Sequence, residues 1–321
     1  MAGMKRWLAC FALACAASAA WAQAWPSRPI HFIVPFTPGS GTDTVARIVG
    51  EAMSKSLGQP IVVDNKPGAG GTIGAAQVAR SEPDGYTVLV HSSGHALNPA
   101  IYPNLPYDTV KDLTGITPLA ALPNVLVVSP SRGWKTVADL VAAAKAKPGA
   151  LNYASAGVGS ATHLNAEKFK LQAGLDAVHV PFKGTPEAMT DVIAGRSDWF
   201  FAPMSAALPQ VKEGRLVALA VSTANRSPFL PDVPTTVEAG VPGSDYTFWV
   251  GILVPSATPA AIVKRLHDEA ERALASPDVK ERLAKQGADP WVLQPDAFNA
   301  QIRAEMDVAA KIAKAANLKA Q

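Results

Sequence analysis

Two short segments hold the residue types that would bind an anion without a cation. The first is Pro35-Phe36-Thr37-Pro38-Gly39-Ser40-Gly41-Thr42-Asp43, which joins an apolar run to an amphipathic one. Its small residues let the backbone approach a ligand closely. Free N–H groups at a helix start, together with the helix dipole, favour negative charge. The plain alternative is a strand-to-helix turn capped by Thr42. Asp43 is awkward beside an anion. It suits a first-turn partner of the dipole, or a contact to an amino group on a ligand. The second segment, Ser155-Ala156-Gly157-Val158-Gly159-Ser160-Ala161-Thr162-His163, has the same layout, with Ser160 placed as an N-cap. Ordinary capping is again the alternative. Two such helix starts facing one cleft would clamp a carboxylate with no arginine. Ser155, Ser160, Ala161 and Thr162 are the candidate contacts, and His163 reads first as a packing or hydrogen-bonding residue.

Other segments carry weaker chemistry. His91-Ser92-Ser93-Gly94-His95 ends a strand-like run. Its histidines do not share a helical face and no carboxylate lies nearby, so a metal site is not expected; Ser92 and Ser93 read as hydrogen-bond donors to a cleft. Gly68-Ala69-Gly70-Gly71-Thr72-Ile73-Gly74 is a loose dinucleotide-type turn, but the acidic residue expected about 20 residues on is missing. It reads as a tight turn packing a helix on a sheet. No Gly-rich turn is followed by a phosphate-binding lysine, and no serine sits in a nucleophile elbow. Asp191 and Asp198 lack an acid–base partner. Trp199-Phe200-Phe201 suits a core more than a cleft wall. No enzyme activity, cofactor or metal is therefore expected.

The elements that must position these segments follow from length and pattern. The chain has 321 residues, 48% hydrophobic and 17% charged, with a formal charge of +3. That is long for one core, suits two domains, and lacks the concentrated basic stripe of a nucleic-acid binder. Lys5 and Arg6, an apolar run from Trp7 to Ala20, and small-x-small sites ending at Ala22 and Ala24 form the layout of a signal peptide over residues 1–24. The run is too short to span a membrane, which takes about 20 residues. Both cysteines, Cys10 and Cys15, fall inside it, so the exported chain from Trp25 has no thiol or disulfide chemistry.

From Trp25 onward, short β-type runs alternate with amphipathic ones. Ile30–Val34, Ile61–Val63, Tyr86–Val90, Val125–Val128, Val178–Val180, Trp199–Phe201, Val217–Val221 and Thr247–Val254 read as strands. Helices are expected through Val45–Met53, Ile73–Val78, Val137–Lys147, Leu164–Leu171 and Pro186–Ile193, from Pro259, and over Asp296–Leu318. This repetition implies an α/β fold with mostly parallel sheets flanked by helices. Splits near Pro123-Asn124 and Ser244–Tyr246 would make the first domain discontinuous: residues 25–123 with 247–321, against 124–246.

These motifs join up as one resemblance. The chain resembles the Bug family of extracytoplasmic solute receptors, the substrate-binding proteins of tripartite tricarboxylate transporters. The likeness begins at Trp25-Pro26-Ser27-Arg28-Pro29-Ile30 and Val34-Pro35-Phe36. It continues through Pro38–Asp43, Asp64–Gly71, Pro83–Tyr86, Ser155–Leu164, Val180–Gly184 and Asp232–Thr235. Ser40 stands where the family has a second glycine. The resemblance implies a two-lobed type II periplasmic binding protein that closes on a small carboxylate. Its contacts would come from Phe36, Thr37, Ser40, Gly41, Thr42, Asp43, Ser92, Ser93, Ser155, Ser160, Ala161, Thr162 and His163. It further implies a monomer in the periplasm that delivers its ligand to membrane permease subunits. A sensor role reported to a membrane signalling protein, or more remotely an enzyme acting on a carboxylate, are the alternatives.

Overall fold

The computed structural model describes residues 25–318. The leader reading, with Lys5, Arg6, Cys10 and Cys15, lies outside the described residues. The chain forms two sheets with flanking helices, one in each of two lobes. The six-stranded sheet has the order β11-β4-β10-β3-β1-β2 and the five-stranded sheet β7-β6-β8-β5-β9. In the first, β1 is Ile30–Val34, β2 Ile61–Asn65, β3 Thr87–Ser92, β4 Leu113–Leu122, β10 Phe248–Pro255 and β11 Asp289–Pro290. In the second, β5 is Asn124–Val128, β6 Asn152–Ser155, β7 Val178–Pro181, β8 Trp199–Pro203 and β9 Val217–Val221.

The expectation of mostly parallel sheets needs correction. β1 pairs in parallel with β2 and β3, and β6 with β7 and β8. β10 runs antiparallel to β3 and β4, and β5 antiparallel to β8 and β9. The cause is the double crossing. The chain leaves one sheet along β4, passes Pro123 and enters the other along β5. It leaves that sheet along β9 and returns along β10. Outgoing and incoming strands must run in opposite directions, so each sheet is mixed. The crossing is stitched at Ser222, whose N–H donates to Asn124 O at 2.8 Å and whose hydroxyl donates to Tyr246 O at 2.8 Å.

Both faces of each sheet are covered, so the central strands are continuous apolar runs. In β5, Val125 and Val127 pack on one face with Phe200, while Leu126 and Val128 pack on the other with Tyr153, Trp199 and Phe201. Trp199, Phe200 and Phe201 are core. In the six-stranded sheet, Phe32 and Val34 face helix α1 (Gly41–Leu57) and helix α8 (Ala260–Ala275). Ile33, Leu89 and Trp249 face α10 (Pro295–Ala315), which inserts Phe298.

Phe298 is fully buried over two adjacent glycines. A Cβ on Gly115 or Gly251 would come within 2.7 Å of its ring. Gly251→Ala is expected to overpack this contact and lower unfolding stability by about 1–3 kcal/mol. Thermal unfolding checks it, and an unchanged Tm would refute the packing argument.

Candidate functional site

The first site segment is shaped by its own hydrogen bonds. β1 ends at Val34, and α1 begins at Gly41 with Ser40, not Thr42, as its cap; the Asp43 N–H donates to Ser40 Oγ at 3.3 Å. Asp43 in return accepts from the Gly39 N–H at 2.9 Å, from Arg47 Nε at 3.0 Å and from Asn65 Nδ2 at 2.9 Å. Burial alone would raise its carboxyl. These hydrogen bonds and the Arg47 charge outweigh burial and hold it below its ordinary value. Asp43 thus fixes the loop and the dipole end of α1 rather than facing the cleft.

The second segment repeats the device. β6 ends at Ser155, and helix α5 (Ala161–Ala173) is capped by Ser160, whose Oγ accepts from the His163 N–H at 3.3 Å. Thr162 Oγ1 accepts from the Ala156 N–H at 2.9 Å. Ser155 lies behind the loop: its Oγ meets His179 Nε2 at 2.6 Å and accepts from the Gly157 N–H at 3.1 Å. His163 is stacked on His179, ring centroids 4.0 Å apart, and its Nδ1 accepts from the Gly159 N–H at 3.2 Å. It packs and orients the loop.

The two helix starts meet across one narrow cavity between the lobes. Eight of the thirteen expected residues line it: Phe36, Ser40, Gly41, Thr42, Ser92, Ser160, Ala161 and Thr162. Five do not. Thr37 donates to Glu187 of the other lobe at 3.1 Å, Ser93 pairs with the Tyr246 hydroxyl at 2.7 Å, and Asp43, Ser155 and His163 support the loops from behind. The lining also includes Ala156, Thr185, Pro203 and Phe248, which sequence reasoning missed. Thr185 opens helix α6 (Thr185–Ile193), and Pro203 precedes helix α7 (Met204–Lys212). Their signal was the strand–proline–helix pattern at Pro181 and Pro203. Phe248 carried none, because a strand's first residue looks like any other core position.

No lining residue is charged. The polar groups are hydroxyls and the N–H groups of helix starts. Ser92 Oγ is buried and has no hydrogen-bond partner within the protein. An orphaned buried hydroxyl costs about 1–3 kcal/mol, so Ser92 Oγ has a bond to offer a water or a ligand in the cavity. The weaker motifs are structural. Asp191 binds Ser197 and Arg196, and Asp198 binds Arg132 and the Asn152 N–H. His91 and His95 are buried 5.2 Å apart, and no group of three or more metal-binding side chains occurs among the described residues.

Residues 45–318 match the family described as "Tripartite tricarboxylate transporter family receptor". A UPF0065 protein from the tcbD-tcbE intergenic region of Pseudomonas sp. (strain P51) is 40% identical over 289 residues, covering 89% of this chain and 86% of its own. Protein BugT of Bordetella pertussis is 38% identical over 277 residues, covering 86% and 85%. Among solved structures, R. palustris Rpa4515 with adipate has 35% identity and a TM-score of 0.88, over 92% of this chain and 99% of that one. MatC from Rhodopseudomonas palustris with bound malate has 34% identity and a TM-score of 0.85, over 90% and 99%.

The imidazoles behind the cavity give the site a pH signature. Burial depresses His91 and His179 to about 4, and His163 well below its ordinary value. The folded state therefore holds them neutral, while the unfolded chain protonates them near 6.5. Their contribution is complete above pH 6.5 and is lost as pH falls toward 4. Denaturant unfolding between pH 7.5 and 4.5 should show a loss on the order of 1 kcal/mol per pH unit for each histidine. His179→Asn should flatten that slope; an equal slope in the variant would contradict the burial argument.

Proposed function

The chain belongs to the tripartite tricarboxylate transporter receptor family, the Bug proteins, and from that premise we propose that it captures a small carboxylate between its lobes and passes it to the family's membrane permease. The observation that carries the proposal is Ser92 Oγ, buried without a partner in an uncharged cavity where two capped helix starts converge. A carboxylate satisfies all three: it accepts from the hydroxyl and from the N–H groups, and it sits at the positive ends of two dipoles. Two relatives hold malate and adipate, both small dicarboxylates.

The double crossing between the sheets supports lobe boundaries at Pro123-Asn124 and Tyr246-Thr247, with residues 25–123 and the chain from 247 onward in one lobe and 124–246 in the other. Lobe closure buries the ligand, and the greater affinity of the closed form drives it. The ligand leaves unchanged: the lining hydroxyls have no imidazole, carboxylate or amine among the lining residues to act as their general base. The protein acts in the periplasm as a monomer, exported by residues 1–24. Intact mass of the exported protein should correspond to a chain that begins at Trp25.

Thermal unfolding in the presence of mono-, di- and tricarboxylates, acidic amino acids and aromatic acids tests the reading. An acid present at about a hundred times its Kd should add about 2.7 kcal/mol. Ser92→Ala should leave the unliganded protein as stable or more so, because it removes an unpaired hydroxyl, while weakening the best acid about tenfold. A panel without any stabilising acid, or a Ser92→Ala variant that binds as the wild type does, would sink the proposal.

A further inference from the structure

The Gly68–Gly71 turn sits against the anion-facing loop of the opposite lobe. Gly70 has φ +60 in the short turn Ala69–Gly71 that follows β2. A Cβ there would overlap the carbonyl oxygen of Val158 and lie 3.0 Å from the Gly159 carbonyl carbon. That obstacle is backbone and has no rotamer to escape into. Tyr102, just after the short helix Asn98–Ile101, donates its hydroxyl to the same Val158 carbonyl at 2.7 Å. Gly94 closes the other side: a Cβ on it would lie 2.8 Å from Gly159 O and 2.7 Å from Ala161 N. Gly159 in turn has no room for a side chain against Asn98 and Ile101. Val158–Ala161 therefore sits in a close-fitting slot of the other lobe, with bare backbone at Gly70 and Gly94 and the side chains of Asn98, Ile101 and Tyr102 beside it.

This slot belongs to closure. Its walls come from segments after β2 and β3 of one sheet, and its occupant is the loop after β6 of the other. The same loop ends in Ser160 and opens α5, the helix start that lines the cavity. We propose that Gly70 and Tyr102 are positioning residues that seat the Val158–Ala161 loop across the cleft, so that orienting the anion-facing helix start and closing the lobes are one event. The proposal rests on the carboxylate reading only for what fills the cavity. It gives the glycine-rich turn a role: a surface that must be smooth for the lobes to meet.

The test compares Gly70→Ala with Gly58→Ala. Gly58 has a matching left-handed conformation, φ 69 and ψ 12, at the end of α1, and a Cβ there meets nothing within 4 Å. Both variants bear the same backbone strain, and only Gly70→Ala obstructs the slot. Tyr102→Phe removes the hydroxyl without adding bulk. The readouts are small-angle scattering with and without malate and adipate, and titration with both acids. With an acid that binds, wild type and Gly58→Ala are expected at the compactness of the closed arrangement, and Gly70→Ala at a larger radius of gyration. Gly70→Ala should weaken whichever acid binds the wild type by about tenfold or more, with a smaller loss for Tyr102→Phe, because only the closed fraction binds tightly. Equal behaviour of Gly70→Ala and Gly58→Ala in both readouts would overturn the proposal. So would a wild type that stays open while binding either acid. If neither acid binds a compact wild type while Gly70→Ala is expanded, the carboxylate reading fails and the seating of the loop stands.

Discussion

An anion taken out of water must be met by donors already in place, and this chain offers helix starts in place of cations. That constraint orders much of the structure. A helix start can aim into a cleft only if a strand delivers the chain to the cleft edge and a short loop turns it. β1 and β6 do this in their respective sheets, each flanked by parallel partners. The loops must also be stiff, since a dipole that reorients gives little stabilisation. Asp43, with three hydrogen bonds converging on its carboxylate, and the Ser160–Thr162 pair, with Oγ atoms 3.0 Å apart, supply that stiffness from opposite lobes.

Legibility in the sequence tracked locality. Ser40 and Ser160 were findable because capping is a short-range matter of side chain and backbone three residues apart, although the first cap was assigned to Thr42. The central strands announced themselves because burial on both faces leaves runs such as Val125–Val128. β4 did not: Thr114, Gly115, Thr117 and Pro118 interrupt its apolar pattern, and Gly115 is there for Phe298, a partner 183 positions away. The helix Met204–Lys212 was hidden by Pro209 inside it. The mixed direction of the sheets was illegible for a different reason. Strand direction follows from where the chain crosses between lobes, and no local pattern encodes it. Among site residues, those at the two serine-capped helix starts were legible, whereas Thr185 and Pro203, at two further helix starts without a side-chain cap, were not. Phe248 and Ala156 face the cavity only because two lobes meet there.

The crossing itself balances freedom against order. Two connections restrain the lobes more than one would, yet both are narrow. Pro123 links β4 to β5 directly, while the return passes Tyr246, whose N–H donates to Ser222 O at 2.6 Å and whose hydroxyl pairs with Ser93. The Ser222 bonds tie the outgoing and returning segments to each other, while the Tyr246 hydroxyl and ring tie the return to Ser93 and to the core of the first lobe.

A cavity divided between lobes has a consequence for release. In the open form each lobe offers only its own half of the donors: Ser40, Gly41, Thr42 and Ser92 on one side, Ser160, Ala161, Thr162 and Thr185 on the other. Neither half contains a cation, so neither holds an acid firmly by itself. The full set exists only when the lobes meet. Affinity therefore resides in the arrangement rather than in any one residue, and a ligand shifts the lobes only by the difference between the two forms. A bidentate arginine would remain attractive after opening. Hydroxyls and amide N–H groups lose their advantage to water as soon as the cleft wets. On the proposed reading, an uncharged lining makes opening alone sufficient to let the cargo go.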